Sequence, residues 1–322
     1  MIVTIALNPS VNKLAVIDGL EVNGINTVQD YRMCLGASTI YTAYIIKLLQ
    51  GEPHVIGFLG GIGGRYIKHF MDKNRIKSDL VFNLAESKSI YRIVDSIHGT
   101  ETTLLDNGMV VDELNIKNLK HKLQNHIHDA KVMVIGGDLP SGAEFSLIEE
   151  SVAMANKKGL KIICSLKGEE LRKALELSPY GVKVNKDTVM DLVQLDPIND
   201  DTKYIIRSLH EVLIKHKIHY LVYDAGDEGI YMLSKNKICH VDIRGFMEIL
   251  DGIGSSDALV GAFAIAVERK YEQEKMAKLM LATSLAVKNS KYPVICHRKD
   301  IDCYYNKVKV TEIMNKKQGF IE

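Results

Sequence analysis

Six short runs of β-branched and aliphatic residues punctuate the chain: Ile2 to Leu7, Val55 to Leu59, Val132 to Ile135, Lys161 to Cys164, Val182 to Val184 and Tyr220 to Tyr223. They are near-continuously apolar rather than alternating, which is the pattern of strands buried on both faces, in a sheet covered by helices on each side. Between them lie stretches of helical period, such as Leu119, Leu123 and Ile127, or Ile205, Leu209 and Leu213, each repeating in four-residue steps on one face. Strand and helix patterns that alternate in this way predict a layered α/β fold around a largely parallel sheet.

Two segments break the rhythm. From about residue 12 to 34, and again from about 86 to 106, strand-like alternation continues without a helix between, as in Ser89 to Asp95 and then Glu101 to Leu105 across a turn at His98-Gly99. These segments predict either a small separate sheet or ordinary edge strands. As a separate sheet they would form a flap over the C-terminal edge of the main sheet, where α/β folds bind ligands.

The chain has 322 residues and a formal net charge of +1, with no long basic run, so neither nucleic acid nor a membrane surface is favoured as a partner and a small molecule is. Its 46% hydrophobic content supports a large core. The cysteines Cys34, Cys164, Cys239, Cys296 and Cys303 are scattered and odd in number, which fits a reducing compartment rather than a disulfide framework. Cys296, His297 and Cys303 lack the paired spacing of a closed zinc site. No signal segment and no apolar run of spanning length is present, and the expectation is a soluble, cytoplasmic protein.

The sharpest local signal runs from Asp251 to Phe263, D-G-I-G-S-S-D-A-L-V-G-A-F, where a small-residue loop enters an apolar helix. Backbone N–H groups at such a helix start, backed by the helix dipole, suit a phosphate or the charge on a transferring phosphoryl group. Asp257 in the first turn has two readings: a carboxylate that complements the dipole as a cap, or a base that takes a proton from a substrate hydroxyl.

This stretch resembles the D-T-x-G-A-G-D signature of the PfkB (ribokinase-like) carbohydrate kinases, with Asp251, Gly254 and Asp257 matching and Gly252, Ser255 and Ser256 differing. Further landmarks follow in order along most of the chain. Ala6 to Asn12 resembles the T-x-N-P-x-x-D opening of the branch that contains tagatose-6-phosphate kinase and 1-phosphofructokinase. Gly57 to Gly61, Gly137 to Gly142, Lys183 to Asn185 and Ala225 to Gly229 fall where that branch has G-F-L-G-G, G-S-L-P-x-G, K-P-N and L-G-x-x-G. Alone, a motif such as Gly57 to Gly64 reads as a strand-to-helix turn.

The resemblance implies a three-layer α/β/α sandwich with a mostly parallel sheet and a small β lid, in one kinase domain over residues 1–322. It implies Asp257 as the catalytic base and Gly254, Ser255 and Ser256 in its anion hole. It implies ATP and Mg²⁺ as cofactors and a sugar phosphate as the acceptor, of the tagatose 6-phosphate, fructose 1-phosphate or fructose 6-phosphate class. Asn185, Asp224, Gly226 and Gly229 would line the nucleotide, and Asn12, Gly36, Ala37, Ser38, Tyr41, Lys88 and Arg92 the acceptor. A flap with exposed edges invites a homodimer through the lid.

Departures from the pattern concentrate at the sugar and the phosphates. Asn12 stands for an aspartate, and Gly36 to Tyr41 replaces G-G-K-G-x-N. Ser87 to Arg92 replaces T-R-T-N-x-K but keeps two cations, Lys88 and Arg92, which read either as partners for a substrate phosphate or as a solvated strand face. In place of N-x-x-E stands Asn185-Lys186-Asp187-Thr188, so Asp187 or Asp191 would have to serve a metal. Asp224 replaces a Ser or Thr and would repel phosphate if it pointed inward. These losses leave open a second reading, a catalytically weak or inactive relative that binds a sugar or nucleotide.

Overall fold

The computed structural model describes residues 1–36, 39–193, 201–243, 253–290, 296–315 and 319–320. Ala37, Ser38, Asp251 and Gly252 therefore lie outside the described residues.

In the N-terminal third the elements are β1 (Ile2–Ala6), β2 (Ser10–Ile17), β3 (Val28–Leu35), α1 (Thr39–Leu48), β4 (Pro53–Gly60), α2 (Gly61–Lys73), β5 (Lys77–Asn83), β6 (Lys88–Asp95) and β7 (Thr100–Leu105). The middle holds α3 (Glu113–His126), β8 (Val132–Gly136), α4 (Ser146–Lys157), β9 (Lys161–Ser165), α5 (Gly168–Glu176), β10 (Gly181–Asn185), α6 (Lys186–Val189), α7 (Thr202–Lys215) and β11 (Tyr220–Asp224). The remainder is β12 (Ile230–Leu233), β13 (Lys237–Ile243), α8 (Ser255–Glu268), α9 (Gln273–Lys288), α10 (Arg298–Lys307), β14 (Val308–Asn315) and β15 (Gly319–Phe320).

Each of the six apolar runs is a strand of one sheet, ordered β15-β14-β13-β12-β11-β10-β9-β8-β1-β4-β5. From β11 to β5 all neighbours are parallel. Beyond β11 the sheet continues antiparallel through β12 to β15, an extension that the apolar runs do not announce.

Burial on both faces explains the continuous runs. Val3, Ile5, Met133 and Ile135 pack with Leu119 and Leu123 of α3 and with residues of α4, α5 and α7. Their neighbours Ile2, Val132 and Val134 point the other way, into a cluster with α1, α8 and α9. Each fully buried Val, Leu or Ile contributes about 1.5–3 kcal/mol relative to exposure. The predicted faces of α3 and α7 are the buried ones.

The two irregular segments form a second sheet, ordered β3-β2-β6-β7. Its outer pairs are antiparallel, while β2 and β6 run parallel with Asn12 opposite Ile90 and Leu14 opposite Arg92. The turn after β6 is left-handed at Gly99 (φ 63°). Buried Asp95 ties the two halves of this sheet, accepting from the N–H groups of Leu20 at 2.7 Å and Gly19 at 3.0 Å and from the His98 ring. Led by the Leu20 bond, these donors hold its carboxyl far below the usual range.

Candidate active site

The site begins where α8 begins. Its body, Ala258 to Val267, is almost wholly buried against α1 and α9, so tertiary packing fixes where its N-terminus points. Gly254 caps the helix in the left-handed region (φ 79°), and a Cβ there would sit 3.0 Å from ring atoms of Tyr41. Only glycine combines that conformation with so close a ring. Tyr41 is itself 1% exposed, so it supports the loop from beneath rather than presenting a surface to an acceptor. The Thr42 hydroxyl donates to the Asp257 carbonyl at 3.2 Å, fastening α1 to the same turn. Ser255 is buried, and Ser256 and Asp257 are half-buried at the end that carries the positive pole of the dipole.

Next to this turn lies a residue that the motif reading names as a landmark, in Lys183 to Asn185, but gives no role. Lys183, in the middle of β10, is 3% exposed and donates to the Ser256 hydroxyl. Its ammonium is 3.7 Å from Asp224 at the end of β11. Burial pushes its pKa below the usual lysine value, and the charges of Asp224 and Asp257 oppose that fall. A charged residue inside an otherwise apolar strand is the signal that could have revealed it.

Asn185 and Asp224 are opposite each other in the register of β10 and β11. The expected repulsion of phosphate by Asp224 is resolved by its direction: it accepts from the Gly226 N–H at 3.2 Å and faces Lys183. Gly226 and Gly229 are both left-handed, and a Cβ on Gly229 would lie 2.1 Å from the Val241 carbonyl oxygen. Glu228 joins this loop to α6, 3.1 Å from Lys186 and accepting from the Thr202 hydroxyl. Asn185 caps α6, its side chain accepting from the Thr188 N–H at 2.9 Å while its own N–H donates to the Thr188 hydroxyl at 2.8 Å. Thr188, where the resemblance places a glutamate, thus completes a capping box.

Asp187 is exposed in α6, whereas Asp191 is engaged in accepting from the Gly168 N–H at 2.8 Å. Among the described residues no three His, Cys, Asp or Glu side chains gather as a ready-made metal cluster.

On the flap, Lys88, Ile90 and Arg92 share one face of β6, and the register places Asn12 and Leu14 of β2 on the same face. Lys88 reaches the main sheet and meets Asp138, just past β8, at 3.0 Å. Lys167, after β9, approaches the other oxygen of Asp138 at 2.9 Å. Burial alone would raise the Asp138 pKa, but the hydrogen bonds from Lys167 and Lys88 outweigh it and hold the group below its ordinary value. Arg92 is placed differently, in a two-pronged bond to Glu101 of β7 at 2.7 and 2.9 Å. The two cations therefore share a face without sharing a target, and Asp138 is the acid that the motif reading did not single out.

Asn12 is 5% exposed, and its side-chain oxygen, like that of Asn8, is buried with no hydrogen-bond partner among the described residues. Such an acceptor costs free energy unless something completes it, which fits a polar ligand group under the flap. Gly36 closes the flap's base, donating to the Ser10 carbonyl at 2.7 Å, and a Cβ there would lie 1.9 Å from the Ser10 hydroxyl.

The chain is similar to known proteins over most of its length. The sequence pattern of the pfkB family carbohydrate kinases matches residues 4–296. The chain is 26% identical to a 1-phosphofructokinase of Borreliella burgdorferi over 319 residues, which covers 97% of this chain and 99% of that one. It is 24% identical to a tagatose-6-phosphate kinase of Staphylococcus epidermidis over 280 residues, covering 86% and 89%. The crystal structure of phosphofructokinase-2 from Escherichia coli with substrates and products superposes with a TM-score of 0.86 at 20% identity, covering 95% of this chain and 98% of that one. With a two-layered helical cover over one long sheet, a separate flap and a glycine-capped helix start bearing Asp257, the chain belongs to the pfkB family of carbohydrate kinases.

Proposed function

We propose that this protein transfers the γ-phosphoryl group of ATP to a hydroxymethyl group of a sugar phosphate, of the tagatose 6-phosphate, fructose 1-phosphate or fructose 6-phosphate class. The observation that carries the proposal is Asp257 in the first turn of α8, directly above the left-handed Gly254 and beside the buried ammonium of Lys183.

In this reading the acceptor hydroxyl gives its proton to the Asp257 carboxylate as its oxygen attacks the γ-phosphorus in line. The bond to the bridging oxygen of ADP breaks, and Asp257 later returns the proton to water. The N–H groups from Gly254 to Asp257 stabilise the charge on the moving phosphoryl group, so catalysis is largely positioning and electrostatics. Asn185, Gly226 and Gly229 line the nucleotide, with Asp224 acting through Lys183.

Magnesium bound with ATP needs only one or two protein carboxylates beside phosphate oxygens and water. The exposed Asp187 fits that modest demand, since Asp224 and Asp191 are engaged elsewhere. When bound, the ion would neutralise phosphate charge. On the acceptor side, Asn12 offers its unsatisfied oxygen to a sugar hydroxyl, and Lys88 and Lys167 offer cations to the sugar's phosphate in competition with Asp138. Gly36 lies between β3 and α1, Ala37 and Ser38 follow it in sequence as further candidates for the acceptor side, and Arg92 lies further out on β6 than Lys88.

The whole chain acts as one kinase unit in this reading, with the flap as lid. No helix among the described residues is long and apolar enough to cross a membrane, and a cytoplasmic place of work suits a sugar-phosphate substrate. A homodimer through the flap is supported by the face opposite the site, where Tyr31, Met33, Tyr91 and Leu104 are exposed.

The decisive experiment is an ADP-release assay with Mg²⁺ and a panel of phosphosugars, beside calorimetric titration with ATP and ADP. Turnover on one hexose phosphate is expected. Absence of both turnover and millimolar nucleotide binding would overturn the reading.

A further inference from the structure

Two of the departures from the family pattern, Asp224 and Ser256, are 32 residues apart in sequence and meet at one atom. The Lys183 ammonium donates to the Ser256 hydroxyl on one side and lies 3.7 Å from an Asp224 oxygen on the other. The second oxygen of Asp224 accepts from the Gly226 N–H at 3.2 Å. A continuous polar path therefore runs from the Gly226–Gly229 loop, through Asp224 and Lys183, to the residue before Asp257.

The path crosses the most buried lysine among the described residues. Lys183 is 3% exposed and Asp224 keeps a side-chain exposure of only 15%, so each is poorly solvated and depends on the other. A glycine at 256 would give the ammonium no hydroxyl, and a serine at 224 would give it no counter-charge. The two substitutions make sense together, because each supplies one partner to a lysine that water does not reach.

We propose that Lys183 is a positioning residue in this chain, coupling the nucleotide loop to the helix turn that carries Asp257 through Asp224 and Ser256. Movement of the Gly226 N–H as a nucleotide enters shifts the Asp224 carboxylate, and the ammonium transmits that shift to Ser256 and the base. The inference rests on the kinase reading for its catalytic consequence, but the coupling itself is a property of nucleotide binding and is measurable without turnover.

The test is a double-variant cycle with Asp224→Asn, Ser256→Gly and their combination, plus Lys183→Met with and without Asp224→Asn. ADP affinity is measured by calorimetry, and kcat and KM for ATP and acceptor by ADP release. Ser256→Gly is expected to weaken ADP binding although Ser256 lies outside the nucleotide loop. The combined variant should lose less than the product of the single losses, by at least about threefold, as interacting neighbours do. In the Lys183→Met background, Asp224→Asn should change neither ADP affinity nor kcat further. Losses in kcat should exceed changes in the acceptor KM, which separates mispositioning of the base from loss of substrate contact.

Melting curves establish that each variant is folded, and the near-isosteric Asp224→Asn keeps the cycle available if Lys183→Met does not fold. Losses that multiply independently in ADP binding would overturn the coupling. Coupling in ADP binding with no turnover in the parent on any phosphosugar would instead remove the kinase reading and leave the coupling standing.

Discussion

Lys88 Nζ, on the flap, lies 3.0 Å from Asp138 Oδ2, just past β8 of the main sheet, and that ion pair ties the flap to the main sheet across the proposed acceptor site. Lys167 shares the same carboxylate. A phosphate arriving there must displace Asp138 from two cations that are already satisfied. Replacing Asp138 by Ser should therefore lower the KM for a phosphosugar by about tenfold, the size of one charge-assisted hydrogen bond. KM for an unphosphorylated sugar should not fall, and steady-state kinetics on both acceptors checks the difference.

The base assignment separates cleanly from the dipole role. Asp257→Asn keeps the shape but removes the proton acceptor, so kcat should fall by a factor on the order of 10² to 10⁴, while losing one charge near the dipole changes stability by at most about 1 kcal/mol. Asp257→Ala should cost up to about 1 kcal/mol of stability, that of a lost charge in the first turn, since Gly254 is the N-cap. An Asn variant turning over as fast as the parent would leave Asp257 as a complement to the dipole alone.

Gly254→Ala tests the loop beneath. A left-handed alanine costs about 1–2 kcal/mol, and its Cβ would press on the Tyr41 ring. Denaturant unfolding should show that loss or more, and kcat should fall with it because the helix start is displaced.

Acid sensitivity should trace in part to His54. It is 8% exposed and its ring lies tilted by 31° against that of His126, 4.0 Å between centroids. Burial, aided by the charge of His126, pushes its pKa down to about 4. The fold holds the neutral ring, while an unfolded chain protonates near the ordinary value of 6.5. Its contribution is whole above pH 6.5 and is lost as pH falls toward 4. Thermal melts at pH 7.5 and pH 5 should differ, and by less in His54→Gln.

The proposed flap dimer predicts that Leu104→Glu, on the exposed face with Tyr91, shifts sedimentation toward the monomer. A parent already monomeric at high concentration would remove that assembly.

What the sequence reveals divides along the range of the contacts. β1, β4 and β8 to β11 are legible because burial on both faces writes itself into consecutive residues. The flap is legible because its alternation excludes a helix, as seen in β2 and β6. The antiparallel extension is less so: β12 is four residues long, and β14 pairs with β13 from across three helices, α8, α9 and α10.

Within the site, motif spacing picks out Gly254, Asp257, Asn185 and Gly229 because each serves its local turn. It is silent on where side chains are aimed. Asp224 turns to Lys183 and Asp138 to Lys88 through contacts that sheet order decides, 41 and 50 residues apart. The engagement of Asp191 with Gly168 is of the same kind.

The parallel pairing of β2 with β6 joins residues separated by 78 positions, and central β1 is flanked by β4 and by β8, which starts only at Val132. Such pairings pay their loop-closure entropy before any contact rewards it, so they form slowly. During synthesis the hairpin of β2 and β3 must wait for β6, and β1 must wait for β8, with apolar edges uncovered meanwhile. This architecture makes the stretch before β8, which starts at Val132, the interval in which a nascent chain most needs protection from its neighbours.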